Sequence, residues 1–329
     1  MNLSGKRVLV TGAGGFIGSH LAEALVDGGC SVSALVHYDS RSDLSNLDLL
    51  PREKFSRLKV LAGNIEDPFF VNSMLADIDI VFHLAALIAI PHSYVAPASY
   101  VRTNVDGTLN VLEAARAKRT ERVVIMSTSE VYGTARYAPI NEEHPLQAQS
   151  PYSATKIAAE KLAESYRCTF GLPVAVVRAF NTFGPRQSAR AVIPTIISQQ
   201  LFAESVRVGS LTPTRDFLFV KDTALGLMAV AACDEAIGQV LNLGTGFEAS
   251  IADVLNLVQK LTGCKKPVEV EDDRVRPKNS EVLRLICDSS RARKMTGWAP
   301  RFDLEGGLRE TVDFVRANSQ RFRVGSYAR

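Results

Sequence analysis

The chain has 329 residues, 46% of them hydrophobic and 22% charged, with a formal net charge of +3. That is the balance of a soluble globular protein, long enough for one large α/β domain and a smaller attached one. The charge is too small, and the basic residues too dispersed, to imply nucleic-acid or membrane partners. Five well-separated cysteines, Cys30, Cys168, Cys233, Cys264 and Cys287, form no C-x-x-C pair. They argue against a zinc or other metal site and for free thiols in a reducing cytoplasm. The opening Met1–Lys6 carries no apolar leader, and the longest apolar stretch, around Leu84–Pro91, is too short to span a bilayer.

Strand and helix patterns alternate through the first half. Arg7–Thr11 (RVLVT) predicts a strand, a glycine cluster follows, and Ser19–Val26 reads as a helix. Further strands are expected at Ser31–Val36, Leu58–Ala62, Ile78–His83, Arg122–Met126 and Pro173–Arg178, with helices at Tyr100–Ala117 and Tyr152–Tyr166. This rhythm implies a Rossmann-type, doubly wound parallel sheet buried on both faces. After Gly184 the rhythm weakens. Short strands (Ser205–Val208, Phe217–Val220, Val240–Leu243) and helices (Ile251–Leu261, Leu304–Asn318) suggest a smaller C-terminal α/β lobe. The expected division is 1–184 for dinucleotide binding and 185–329 for substrate, the two partly interleaved.

Gly12, Gly15 and Gly18 form a G-x-x-G-x-x-G pattern between the first strand and the first helix. The first glycine permits the turn, the second lets backbone approach a diphosphate, and the third lets helix and strand pack closely. The free N–H groups of the helix start, at Phe16 and Ile17, would face the phosphates. An acid is expected at the end of the second strand to bind ribose, but Val36 and His37 stand there, with Asp39 the nearest carboxylate and Arg41 the nearest cation. NAD and NADP therefore both remain open, NAD favoured. Asn64 and Ile65 follow the third strand and Leu84, Ala85 and Ala86 the fourth, where the cofactor should lie. His83 reads as a packed, hydrogen-bonded histidine.

Tyr152 and Lys156, spaced i, i+4, share one helix face. A lysine beside a tyrosine should lower the phenol's pKa, letting it take a proton from a substrate hydroxyl. Thr128 can offer a second hydroxyl to the same oxygen.

The ordered motifs TGAGGFIG, HLAA, TNVDGTLNVLEAA, STSEVYG, YSATK, RAFNTFGPRQ, TRDFLFVKD and TGW run through nearly the whole chain. In them the sequence resembles an extended short-chain dehydrogenase/reductase of the nucleotide-sugar epimerase/dehydratase family. Its softer likeness, in ALIAIPHSYVAP, QSPYSATK and PRQSARAVIPTII, is to bacterial 4,6-dehydratases of nucleotide-linked N-acetylglucosamine. The resemblance implies a Thr128–Tyr152–Lys156 triad oxidising the sugar at C4, with Asn104 orienting the lysine. Thr-Ser-Glu, here Thr128-Ser129-Glu130, resembles the dehydratase version of the motif. Oxidation at C4 acidifies the C5 proton, which Glu130 could remove before water leaves C6. Relatives that decarboxylate UDP-glucuronate also carry this triplet, so decarboxylation and C4 epimerisation stay as rivals. A non-catalytic dinucleotide sensor is the rival of another class.

The resemblance further places Asn181 at the diphosphate or sugar of a nucleotide sugar and Arg215 and Arg276 at its pyrophosphate. Arg186 is a third second-lobe arginine expected to bind substrate, Ala191 and Val192 are expected to line the base pocket, and Pro91, Ser93 and Tyr94 lie where the hexose should sit. Paired arginines suit diphosphate because the planar guanidinium binds two oxygens at once. The family commonly forms homodimers through helices near 100–117 and 152–166.

Overall fold

The structure is a computed structural model and describes residues 1–271 and 284–322. In chain order its first half contains β1 (Arg7–Thr11), α1 (Phe16–Asp27), β2 (Ser31–His37), α2 (Arg52–Phe55), β3 (Leu58–Gly63), α3 (Pro68–Met74), β4 (Ile80–His83), α4 (Ile90–Val95) and α5 (Pro97–Tyr100). A π-helical turn, Val101–Asp106, leads into α6 (Gly107–Lys118), followed by β5 (Arg122–Thr128), α7 (Pro151–Phe170) and β6 (Val174–Ala179). The remainder contains β7 (Asn181–Phe183), α8 (Val192–Phe202), β8 (Val206–Val208), β9 (Thr214–Arg215), β10 (Phe217–Phe219), α9 (Val220–Ala232) and β11 (Val240–Leu243). Last come β12 (Ala249–Ser250), α10 (Ile251–Thr262), β13 (Val268–Val270), β14 (Arg284–Leu285), α11 (Ser290–Thr296) and α12 (Leu304–Ala317).

Seven parallel strands in the order β11-β6-β5-β4-β1-β2-β3 make the main sheet. Side-chain alternation decides what covers each face. Val8 and Val10 of β1 point into one core with Leu21 and Leu25 of α1 and Leu227 and Val230 of α9. Leu9, between them, points into the other with Val111 and Leu112 of α6 and Ala163 of α7. Both faces are thus dry, and β4 and β6 are buried along their whole length. A third core joins α8, α10 and α12 around Phe183, Phe217 and Phe219, beside the main sheet.

Several expectations change. Val240–Leu243, read as part of the second lobe, is β11 and extends the main sheet beside β6. The preceding helix, α9, packs on α1 and so returns the chain to the sheet edge. The single helix expected over Tyr100–Ala117 is divided at the π-helical turn that carries Asn104. Neither α8 (VIPTIISQQLF) nor α9 (VKDTALGLMAVAA) shows a clean polar stripe, so helical periodicity did not reveal them.

Candidate active site

The dinucleotide loop lies where β1 gives way to α1. Gly12 has φ +71°, and a Cβ there would meet the Ala85 backbone nitrogen at 2.8 Å. A Cβ on Gly18 would lie 2.1 Å from the Gly12 carbonyl oxygen, so this glycine sets the close packing of the helix on the loop. Helix α1 starts at Phe16 with Gly15 as its N-cap and no side-chain cap among the described residues. Its first N–H groups and positive dipole end therefore suit an anionic diphosphate.

Below the loop runs a chain of donors with one direction. Thr11 Oγ1 accepts from the Leu84 and Ala85 backbone N–H groups, both at 3.1 Å, and pairs with His83 Nδ1 at 2.8 Å. His83 Nε2 meets Thr108 Oγ1 at 3.1 Å, and Thr108 donates to the Asn104 carbonyl at 2.6 Å. With Thr108 donating onward, the Nε2–H tautomer satisfies every member. Burial holds the His83 pKa near 3, with the Lys156 charge adding to the shift, so the ring stays neutral. It is a packed histidine, as its sequence context suggested.

On the ribose side Asp39 is paired. Arg41 donates to it through Nη2 at 2.9 Å and its backbone N–H at 2.7 Å, which brings the Asp39 pKa to about 2. His37 turns its Nδ1 to the Tyr38 carbonyl, 2.9 Å away. Asn64 closes its own turn by accepting from the Glu66 N–H at 3.0 Å, and Ile65 is buried in the second core. Of the residues expected to touch cofactor, these last two are placed to hold the scaffold.

The chemical centre joins the end of β5 to the start of α7. Thr128 caps the short helical turn Ser129–Tyr132, accepting from the Glu130 N–H at 3.2 Å, and its hydroxyl also bonds the Tyr152 phenol. Tyr152 is the second residue of α7, which begins at a Ser150–Ser153 capping box with Pro151 in its first turn. Tyr100 meets Tyr152 edge-on with ring centroids 6.4 Å apart, and Leu87 and Ile90 complete the cover. Ser129 is buried; Glu130 is half-buried and close enough for its charge to raise the phenol's pKa.

One electrostatic expectation is corrected. Burial, then Glu130 and Tyr100, push the Tyr152 pKa above its usual range, against the Thr128 hydrogen bond. Lys156 is not among the groups shifting it; its ammonium donates to the Met126 carbonyl at 2.6 Å. Burial brings Lys156 itself down to about 8, opposed by Glu160. Asn104, expected to help orient Lys156 through backbone or water contacts, binds residues around it. Its side chain pairs with both backbone polar groups of Leu87, at 2.8 and 3.0 Å, and with Thr155 Oγ1 at 3.0 Å.

A cavity of about 1070 Å³ runs from Gly14, Gly15 and Phe16 to Arg186, Gln187 and Arg207. Ile88 is on its rim, while the adjacent Leu87 packs on Tyr152, so the cavity ends where the redox pair's cover begins. Asn181 opens β7 with its Oδ1 buried and without a partner among the described residues. Arg186, in a left-handed conformation (φ +67°), gives Nη2 to Glu23 on α1 at 2.7 Å, and its carbonyl accepts from Asn46 at 3.1 Å. Its ion pair ties the second lobe to α1 through Nη2, while Nη1 is buried with no partner among the described residues. Ala191 and Val192 cap and begin α8. Arg215 is buried on β9 and donates to the Thr214 carbonyl at 2.9 Å. Pro91, Ser93 and Tyr94 share α4, but Ser93 is fully buried and donates to the Ile90 carbonyl at 2.7 Å, a packing role in place of hexose contact. Arg276 lies outside the described residues. Sequence reading passed over Thr11, Asn46, Tyr100 and Glu160. Only Glu160 had a visible signal, its helical spacing from Tyr152 and Lys156.

Comparison with known proteins adds a frame. Residues 9–311 match the family model described as GDP-mannose 4,6 dehydratase. The dTDP-glucose 4,6-dehydratase of Actinoplanes sp. is 33% identical, over 95% of this chain and 98% of that protein. Among solved structures, the UDP-glucuronic acid 4-epimerase of Bacillus cereus, in complex with UDP-glucuronic acid and NAD, superposes with a TM-score of 0.85. It is 29% identical, covering 94% of this chain and 99% of that one. DesIV, a dTDP-glucose 4,6-dehydratase of Streptomyces venezuelae solved with NAD bound, also gives 0.85, at 28% identity over 95% and 98% of the two chains.

Proposed function

Because the chain belongs to the GDP-mannose 4,6 dehydratase family of nucleotide-sugar dehydratases and epimerases, we propose that it is an NAD-dependent 4,6-dehydratase of a nucleoside-diphosphate hexose. UDP- or GDP-linked N-acetylglucosamine is the first substrate to test, on the strength of the sequence motifs around Pro91, Tyr152 and Arg186. The observation that carries the reading is a carboxylate, Glu130, at the end of β5, within electrostatic reach of the Tyr152 phenol. A triad alone serves to oxidise a hydroxyl; a nearby carboxylate adds a base for a second proton transfer.

The glycine loop and the uncapped start of α1 fit a dinucleotide diphosphate, and Leu84–Ala86 leave room beside them. When bound, the nicotinamide supplies reversible acceptance of hydride. Tyr152, hydrogen-bonded to Thr128, would take the C4 hydroxyl proton as the phenolate, after its own proton has passed to solvent on loading of the site. Lys156, one helical turn on and donating to the Met126 carbonyl, contributes positive charge to the same helix face. Glu130 then takes the C5 proton and, with Ser129 adjoining, returns a proton to the hydroxyl leaving C6 as water. The 4-keto-6-deoxy sugar forms once hydride reaches C6 and a proton returns to C5, so the overall change is loss of one water. Asn181 and Arg186 are the second-lobe side chains best placed for the nucleotide diphosphate. Exposed Val95, Val101 and Leu109, on α4–α6 and the π-helical turn between, support a homodimer through this face.

The experiment is mass spectrometry of UDP-GlcNAc, GDP-GlcNAc and UDP-glucuronate after incubation with the NAD-loaded enzyme. Loss of water supports dehydration. Loss of carbon dioxide or an unchanged mass with a new isomer replaces it by decarboxylation or epimerisation, and no turnover favours a sensor. In Glu130→Gln, C5 proton exchange with solvent should cease while C4 oxidation persists.

A further inference from the structure

Helix α7 carries a third inward residue below Tyr152 and Lys156. Glu160 is 4% exposed and continues the same i, i+4 face. Arg178 of β6 grips its carboxylate from the far side: Nη2 to Oε2 is 2.6 Å and Nε to Oε1 is 3.0 Å. The hydroxyl of Ser127, the residue before Thr128, donates to Oε1. Arg178 continues to the Tyr132 hydroxyl at 2.9 Å, which donates to Asn242 of β11 at 2.7 Å. One carboxylate therefore joins the helix bearing Tyr152 and Lys156 to the strand end bearing Thr128 and Glu130.

We propose that Glu160 is a positioning residue of the reaction: through Ser127 and Arg178 it fixes α7 against the end of β5, and it sets a buried carboxylate one helical turn from Lys156. The inference rests on Tyr152 and Lys156 being the redox pair. Stability alone is a poor account of the arrangement, because a buried ion pair can often be replaced by apolar residues without loss. The charged or titratable groups around Lys156 are Tyr152 and Glu160 on α7, neutral His83 on β4, Glu130 after β5 and Arg178 on β6. Of these, Glu160 is the one that opposes the burial of the ammonium, which accordingly reaches about 8 and no lower.

The test uses NAD-loaded full-length enzyme carrying [ε-13C]lysine, with the Lys156 resonance assigned by its loss in Lys156→Met. Glu160→Gln keeps the shape and removes the charge. It should lower the Lys156 titration midpoint by on the order of one pH unit and move the alkaline limb of kcat/KM down by the same amount. Glu160→Asp keeps the charge and should leave the midpoint near its wild-type value while lowering kcat. Should Glu160→Gln fail to fold, the double variant Glu160→Gln/Arg178→Gln leaves no orphaned buried charge, and its midpoint should fall in the same direction. A folded variant with an unmoved midpoint overturns the inference whatever its turnover. A lowered midpoint in a protein that turns over no sugar nucleotide overturns the dehydratase reading and leaves Glu160's control of Lys156 standing.

Discussion

The two ends of the site treat polar atoms in opposite ways. At the redox end partners are in place: Thr128 holds Tyr152, Lys156 has the Met126 carbonyl, and Glu160 has Ser127 and Arg178. At the other end one short segment has three buried side-chain atoms with no partner among the described residues, Asn181 Oδ1, Arg186 Nη1 and Gln187 Oε1. A buried polar atom left unpaired costs on the order of 1–3 kcal/mol. Concentrating three within seven residues fits a surface built to receive a polar ligand. The contrast separates geometry fixed in advance for chemistry from hydrogen-bonding capacity reserved for binding, and variants at the two ends should fail differently.

The largest effect belongs to Tyr152→Phe. It deletes the proton acceptor and retains the ring packed on Tyr100, so kcat should fall by ~10³-fold, within the range for a lost general base, while KM and thermal stability change little. Steady-state kinetics with a melting curve checks this, and a kcat within tenfold of wild type would break the assignment of chemistry to this end. Next is Arg186→Met. It removes one of the two cations on Glu23, leaving Lys54 Nζ at 3.1 Å, and should cost about 1.5 kcal/mol, the loss of one charged hydrogen bond, in denaturant unfolding, with KM rising as the loop loosens. Unchanged stability would mean that the Arg186–Glu23 pair is not what ties the second lobe to α1. Smaller again is Asn181→Ala. Its Oδ1 has no protein partner to lose, so the melting temperature should hold or rise while KM for the sugar nucleotide increases by about tenfold, equivalent to ~1.4 kcal/mol. A clear drop in melting temperature would show that Asn181 serves the fold and blur the comparison.

The same division governs what could be read in advance. Features set by local spacing were legible: the glycines at 12, 15 and 18, and the shared face of Tyr152 and Lys156. So was the parallel sheet, because strands buried on both faces leave dense apolar runs. Features set by three-dimensional neighbours were not. Asp39 and Ser93 were residue types in plausible positions, yet Arg41 and the Ile90 carbonyl engage them, and the ion pair of Arg186 Nη2 with Glu23 could not be foreseen. Glu160 was visible by spacing, but its partners arrive from β5 and β6 and exist only once the sheet forms. The influence of Lys156 on Tyr152 was inferred from proximity in sequence. Burial outweighs it, and burial cannot be counted from one helix.

The smallest effect, and the finest probe of the redox end, is the pH response of Lys156. Its pKa of about 8 stands below the ordinary 10.5, and Tyr152, pushed upward, does not titrate there. If the ammonium is needed, kcat/KM should halve near pH 8 and decline further above it. Stability should move the other way. In the unfolded chain Lys156 keeps its proton to its ordinary pKa, whereas the folded protein releases it from about pH 8. Between those values the unfolded state binds more protons, so this group adds stability as pH rises. Other side chains titrate in the same window, which makes Lys156→Met the reference: wild type should gain stability relative to the variant from pH 8 upward while losing activity. A parallel fall of both would place the titrating group elsewhere and would leave the redox end resting on Tyr152 and Thr128 alone.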